Sequence, residues 1–364
     1  MKKRKIIGRI LGAILGVVVL ILAINAIVYR VKLYKVVKEL DEQGYYNPVS
    51  VGDYSLNVYR CGNESGKHRI VGMSGLGDAS MMLSWREMTS NIEKDNEMIF
   101  IDRAGYALSD DTDKGRKVED IVEDYRTALK NSGVEAPYVL MGHSIAGIYA
   151  TYWESKYPDE IEGVVLLDGT ALGLAEDLEN QESSSGSFMK TAIEKLGFMP
   201  YLYKAEYKSI VGKDYDKDLL DTACYLSAKT EASKAGEAES GLSVDNSVET
   251  GKALKSNDIP KIYINCVLGY ETINDLEKDK VDTNYALMLL NEYGISTEGL
   301  DANDKDKVYE LTMDTIEKLR EKYTIPYVES IGNCQLVNFP TSHLLFMTKP
   351  VEAGNIIEDF IDEL

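Results

Sequence analysis

The sequence predicts an α/β protein, with a mostly parallel sheet covered by helices on both faces, behind one apolar N-terminal helix. Three observations predict it. Short β-rich runs alternate with amphipathic helical stretches from about Tyr54 to Leu167, the pattern of parallel strands joined by helical crossovers. One of these runs passes into a helix through Gly142-His143-Ser144-Ile145-Ala146 with almost no loop. Ahead of them lies Ile10–Tyr29, in which Asn25 is the one strongly polar side chain.

The N-terminal segment comes first. A bilayer core about 30 Å thick needs about 20 helical residues, so Ile10–Tyr29 is long enough to span. A cleaved signal peptide is the competing reading. The length of the run and the lack of a small-x-small site favour an uncleaved anchor, since Ala23 and Ala26 each have Ile two positions earlier. The Lys2–Lys5 cluster favours a cytoplasmic N-terminus with the large domain outside the cell. Gly8, Gly12 and Gly16 recur every fourth residue, a spacing that lets two helices approach closely and would support a homodimer. Val31–Tyr46 reads as a juxtamembrane stalk.

The strand and helix alternation then runs in order. Tyr54–Cys61 alternates like an early strand, and Arg69–Met73 is a short buried strand ending at Ser74-Gly75-Leu76-Gly77. A helix is expected over Ala79–Lys94, then a strand over Glu97–Asp102. Val118–Ser132 places Ile121, Val122, Tyr125, Ala128 and Leu129 on one helical face. Pro137–Met141 is a strand, Ile145–Tyr157 a helix, and Gly163–Leu167 a strand ended by Asp168. From Thr170 to about Ile259 the chain is helical, polar and rich in tyrosine. The sheet resumes at Lys261–Val267. A second long insertion includes a helix over Asp304–Tyr323. Gln335–Phe339 is the last strand and Val351–Leu364 a closing helix.

Charge narrows the functions. The chain has 364 residues and a net charge of −20. Its first 38 residues hold nine of the 40 bases and none of the 60 acids, so the remainder carries 31 bases against 60 acids. A body this acidic repels phosphate backbones, which argues against nucleic acid as a partner. It also favours neutral or cationic substrates, and the stalk is expected to hold the body off the bilayer. No C-x-x-C and no His/Cys cluster suggests a metal, and no cofactor is called for. Cys266 and Cys334 lie at ends of neighbouring late strands, a placement that would allow a disulfide outside the cell.

The chemistry is concentrated at Ser144. A strand that turns at once into a helix forces the middle residue into a strained conformation and lifts its side chain above the sheet edge. Residues two before and two after must be small, and Gly142 and Ala146 are. The usual pattern is G-x-S-x-G, from which Ala146 is a conservative departure. Serine needs a base to become nucleophilic. The chain has three histidines, His68, His143 and His343. His343, just after the last strand, falls at the same sheet edge as Ser144. His68 falls at the opposite edge, and His143, beside the serine, is expected to point away.

From Ser50 to Leu364 these features resemble the α/β-hydrolase fold family. The likeness rests on Ser74–Gly77, on Asp102-Arg103-Ala104-Gly105-Tyr106 followed by Ser109-Asp110, on the turn at Ser144, and on His343. It is most similar to the membrane-anchored bacterial esterase or aminopeptidase-like branch. The resemblance implies an eight-stranded sheet, a helical lid after the sixth strand, and an oxyanion hole built from the Leu76 and Ile145 N–H groups. Many relatives carry His-Gly where this chain has Ser74-Gly75. The acid that orients the histidine often follows the seventh strand as G-x-x-D, but here Thr272 stands three residues after Gly269. Asp168 is therefore the first candidate, with Glu271 and Asp275 as alternatives. Asp102 and Arg103 read as a structural ion pair, Ser109 and Asp110 as turn caps, and Trp153 as core.

This reading divides the chain into a basic stub and membrane helix (1–30), a stalk (31–46), a hydrolase core (47–170 and 260–364) and a lid (171–259). The expected reaction is ester hydrolysis through an acyl-enzyme on Ser144. Amide or peptide hydrolysis and acyl transfer use the same intermediate. Haloalkane dehalogenation is disfavoured, because in this family it uses a carboxylate nucleophile. A non-catalytic binding or sensing domain on a hydrolase scaffold is the rival of another class.

Overall fold

The computed structural model describes residues 2–174, 193–211, 215–266, 283–292, 294–339 and 341–364. Its centre is one eight-stranded sheet in the order β1-β2-β4-β3-β5-β6-β7-β8. The strands are β1 (Pro48–Ser50), β2 (Ser55–Gly62), β3 (Arg69–Met73), β4 (Glu97–Ile101), β5 (Tyr138–His143), β6 (Ile161–Leu167), β7 (Lys261–Cys266) and β8 (Cys334–Phe339). β1 and β2 pair antiparallel, β2 pairs antiparallel with β4, and every pair from β4 to β8 is parallel.

The inner strands are buried on both faces, and the pleat sorts their side chains. Ile99, Ile101, Leu140, Val164 and Leu166 join one core, with the helices Val118–Asn131 and Ala146–Lys156. Met98, Phe100, Met141, Val165 and Leu167 join the other, with the closing helix Pro350–Asp362. Successive residues of a strand face opposite ways, so a continuous apolar run serves two cores at once. The parallel strands all end at the same edge, which gathers Ser74, Asp102, Ser144 and Asp168 there.

Two expected helices are interrupted. The stretch foreseen over Ala79–Lys94 is three short turns, Met81–Ser84, Arg86–Thr89 and Ile92–Lys94. The Ser84 hydroxyl bonds the Ser80 carbonyl at 3.1 Å and the Thr89 hydroxyl that of Trp85 at 3.2 Å, side-chain bonding that competes with a regular helix. The helix expected over Asp304–Tyr323 is regular over Lys305–Leu319, widens into a π-turn over Arg320–Thr324, and continues as Ile325–Ile331. Pro326, with no N–H to give the preceding turn, sits just after the widened segment.

The insertion after β6 is helical, with Met199–Ile210, Lys217–Glu231, Lys234–Gly241 and Ser243–Ala253. The expected Gln181–Ser187 loop lies outside the described residues. All four cysteines are free. Register explains why Cys266 and Cys334 do not meet, since Cys266 pairs with Phe339 and Cys334 with Lys261, at opposite ends of the two strands.

Near the N-terminus the chain forms a single helix, Lys2–Glu42, and within it Gly12–Glu42 is long and apolar enough to cross a membrane. The stalk expected to hold the body off the bilayer is the end of this helix, and it packs onto the body. Leu40 is buried in the second core, with Val36 and Val37 against the same cluster. Burying a leucine fully is worth about 1.5–3 kcal/mol, so these apolar positions bind the helix to the domain.

Candidate active site

Ser144 follows β5 directly, with φ +55°. A non-glycine residue in this left-handed region is held there by its surroundings. Its N–H donates to the Leu167 carbonyl at 3.2 Å, and its carbonyl accepts from Gly147 N and Thr170 N, each at 2.9 Å. The size demand read from the sequence is visible in atoms. A Cβ on Gly142 would stand 2.8 Å from the Ala146 carbonyl oxygen, and one on Gly147 3.1 Å from the Gly169 Cα. Ile145 starts the following helix, so its N–H belongs to the exposed donors of a helix N-terminus.

Asp168 closes β6 at φ +45°. Its Oδ2 lies 2.6 Å from His343 Nδ1, and its Oδ1 accepts the Cys266 N–H at 2.9 Å. The carboxylate therefore reaches across the end of β7 to a histidine carried after β8. A bond this short is in the charge-assisted range. Ser144, Asp168 and His343 thus share the carboxyl edge of the sheet. Glu271 and Asp275, the alternative acids, lie outside the described residues.

His143 departs from expectation. It is buried against the site and does not point away from it. Its ring lies 4.5 Å from that of His343, and its Nε2 is 2.9 Å from the His343 carbonyl oxygen. A carbonyl only accepts, so Nε2 carries the proton and donates, which holds the backbone of His343 in place. Burial, reinforced by His343, holds the His143 pKa well below the usual imidazole value. The signal for it in the sequence is its position beside the serine. His68 is placed as expected, at the amino end of β3, with Nδ1 3.1 Å from Glu162 Oε1.

The turn after β3 packs on the serine, where a Cβ on Gly75 would lie 3.2 Å from the Ser144 Cβ. Arg103 is buried beneath this turn and donates to the carbonyls of Ser74 at 2.6 Å and Gly75 at 3.0 Å. In a trans peptide the N–H points opposite to the C=O. With the Gly75 carbonyl tied to Arg103, the Leu76 N–H is turned to the other side. Gly77 N–H donates to the Tyr106 hydroxyl at 3.2 Å and fixes the far end of the turn.

Arg103 does not pair with Asp102. Its partner is Glu239, at 2.9 Å, from the insertion, and Tyr149 donates to the same carboxylate at 2.8 Å. Asp102 instead accepts from Asn57 Nδ2 at 3.0 Å and Leu108 N at 3.3 Å, and burial pushes its pKa up to about 7. Ser109 donates to the Asp102 carbonyl at 2.6 Å and accepts from Asn57 N, which ties β2 to the turn. Trp153 is fully buried core, as expected.

Comparison with known proteins points the same way. Residues 70–200 match the model of the α/β hydrolase fold. The chain is 33% identical over 198 residues to the uncharacterized protein YbdG of Bacillus subtilis, covering 53% of this chain and 59% of that one. It is 31% identical over 104 residues to the uncharacterized YqjL of the same organism, covering 29% of this chain and 40% of that one. The chain thus spans less than two thirds of these relatives. Among solved structures it resembles the enol-lactonase of Burkholderia xenovorans, with TM-score 0.56 and 14% identity over 87% of this chain and all of that one. A thermophilic esterase from Thermogutta terrifontis gives TM-score 0.54 and 14% identity, over 87% and 98% of the two chains. Sheet order, strained serine turn and these likenesses together establish that the chain has the α/β-hydrolase fold.

Proposed function

We propose that this protein is a membrane-anchored serine hydrolase that cleaves carboxylic esters through an acyl-enzyme on Ser144. The observation that carries the reading is the junction at one sheet edge of a serine at φ +55° and a histidine held 2.6 Å from a carboxylate. In this mechanism His343 takes the Ser144 proton as the oxygen attacks the acyl carbonyl. Asp168 accepts the hydrogen bond from Nδ1–H, which holds that tautomer and stabilises the imidazolium. The carbonyl oxygen becomes an oxyanion facing the N–H groups of Ile145 and Leu76. His343 then gives its proton to the leaving alkoxide, and a water, deprotonated by the same ring, releases the acid. Donors placed where charge develops supply about 3–4 kcal/mol each in other enzymes.

Amide hydrolysis and acyl transfer share the acyl-enzyme and differ in leaving group and acceptor. The surroundings favour neutral or cationic substrates. Asp78, two residues after Leu76, has an enclosed Oδ2 with no hydrogen-bond partner among the described residues, while its Oδ1 is held by Ser80. A substrate amine or hydroxyl would supply the missing donor.

The test is labelling of the full-length protein with a fluorophosphonate, followed by turnover of a matched panel of esters and amides. Labelling lost in Ser144→Ala, with esters hydrolysed faster than amides, is expected. Folded protein with no Ser144-dependent labelling would favour the binding-domain reading. Protease accessibility on intact cells tests the expected orientation, N-terminus inside and domain outside.

A further inference from the structure

We infer that the lid helix Met199–Ile210 is seated in the interface of the bilayer that the N-terminal helix enters, so that the active-site edge faces the membrane. The inference deepens the proposed function by naming its substrate class, an amphiphilic ester drawn from the membrane, and it rests on the helix being a membrane anchor.

The argument starts from Asn25. Within Ile10–Tyr29 it is the one strongly polar side chain, and an amide left without partners in hydrocarbon is costly. Its Nδ2 donates to the carbonyls of Leu196 at 2.7 Å and Gly197 at 3.2 Å, at the start of the lid helix. Tyr29, one turn on, closes the same contact. Its Cβ would meet a Cβ on Gly197, and its ring stacks on Tyr225 of the helix Lys217–Glu231 at 5.9 Å. The lid therefore grips the membrane helix from two of its segments.

Depth follows from helix geometry. With a rise of 1.5 Å per residue, Asn25 lies about 6 Å below Tyr29, where the apolar run ends. Amphipathic helices lying in an interface bury their apolar face about 5–10 Å deep, which matches. At that level the lid presents Tyr201, 48% exposed, whose hydroxyl lies 3.5 Å from Asn25 Oδ1, and beside it Leu202, 52% exposed. These side chains continue the exposed apolar surface of the membrane helix and need no soluble partner.

The same lid covers the carboxyl edge of the sheet. Lys229 donates to the Ala107 carbonyl at 2.5 Å, and Glu239 holds Arg103 beneath the Leu76 turn. An element that touches both the membrane helix and the catalytic edge turns that edge to the bilayer. The acidity of the body does not oppose this, because Arg30, Lys32, Lys35 and Lys38 of the same helix lie at headgroup level.

The test uses the full-length chain in phosphatidylcholine and phosphatidylglycerol vesicles, with phospholipids brominated near the headgroup end of the acyl chain as quenchers. Trp85 and Trp153 are fully buried, so emission is read as the difference from the parent protein. Leu202→Trp is the reporter, with Tyr201→Trp as a second. Val18→Trp marks the span, and Ser65→Trp marks the amino edge of the sheet. Both lid reporters should lose more than half of their emission, like Val18→Trp, and Ser65→Trp should lose none. Quenching of Val18→Trp with both lid reporters unquenched would overturn the inference. No quenching of Val18→Trp would remove the anchor and the inference together. Turnover separates this from the chemistry. With Tyr201→Ser/Leu202→Ser, hydrolysis of a long-chain ester in vesicles should fall about tenfold, or ~1.4 kcal/mol, with a soluble acetate ester unaffected. Equal loss on both esters would refute membrane delivery, whereas no Ser144-dependent turnover of either would refute the hydrolase reading and leave the quenching result standing.

Discussion

Replacing Asp168 by asparagine tests the site most sharply, because the two partners of Asp168 dictate what an amide must do there. The Cys266 N–H, 2.9 Å from Oδ1, can only donate, so the asparagine oxygen must face it. The amide nitrogen then faces His343 Nδ1, where Oδ2 stood at 2.6 Å. An NH2 group donates, so Nδ1 becomes the acceptor and the ring proton moves to Nε2. That tautomer cannot take a proton from Ser144. The change keeps the shape of the site and inverts one proton position. In a serine protease the corresponding exchange lowers kcat about 10⁴-fold, equal to about 5 kcal/mol of transition-state stabilisation. The same loss is expected here. The assay is steady-state hydrolysis of an activated short-chain ester, with Glu271→Gln in parallel and circular dichroism to confirm folding. An Asp168→Asn rate within about tenfold of the parent, with Glu271→Gln inactive, would refute the assignment.

Three further outcomes follow from the geometry. Gly142→Ala puts a methyl 2.8 Å from the Ala146 carbonyl oxygen and should lower stability by about 1–3 kcal/mol, read as the denaturant midpoint; an unchanged midpoint would mean the strand and helix are not in close contact. His143 has its pKa held down by burial, so below the ordinary imidazole value the unfolded chain takes up a proton that the folded one does not, and stability falls with falling pH by up to about 1.4 kcal/mol per unit. His143→Gln should flatten that slope in urea titrations at a series of pH values, and an unaltered slope would argue against it. Arg103→Met leaves Glu239 buried and unpaired, which costs about 3–5 kcal/mol, so the informative protein is Arg103→Met/Glu239→Gln. It should recover most of the stability yet keep kcat about 10²-fold low, within the worth of one oxyanion donor, with KM little changed. Recovery of kcat together with stability would show that Arg103 only supports the fold.

The sequence by itself determined the sheet and the placing of Ser144 and His343 at its carboxyl edge, because each is a local pattern or a matter of chain order. Short continuous apolar runs bounded by turn residues read as strands buried on both faces. A strand that turns into a helix across Gly142 and Ala146 can only raise Ser144. Three histidines leave one in the right place. Contacts between segments far apart in the chain were not legible. Arg103 looked like the partner of Asp102, its neighbour, but Glu239, 136 residues away, reaches it through the fold. His143 looked idle because its value lies in the His343 carbonyl, 200 residues on. Cys266 and Cys334 looked close because strand adjacency can be inferred and register cannot. Asn25 is the one strongly polar side chain of an apolar run, and only the tertiary structure sets the Leu196 and Gly197 carbonyls against it. Local sequence fixes which way a backbone runs and which face is apolar. The pairing of buried polar groups is decided only when packing removes water, and each donor must then find an acceptor wherever the fold has put one.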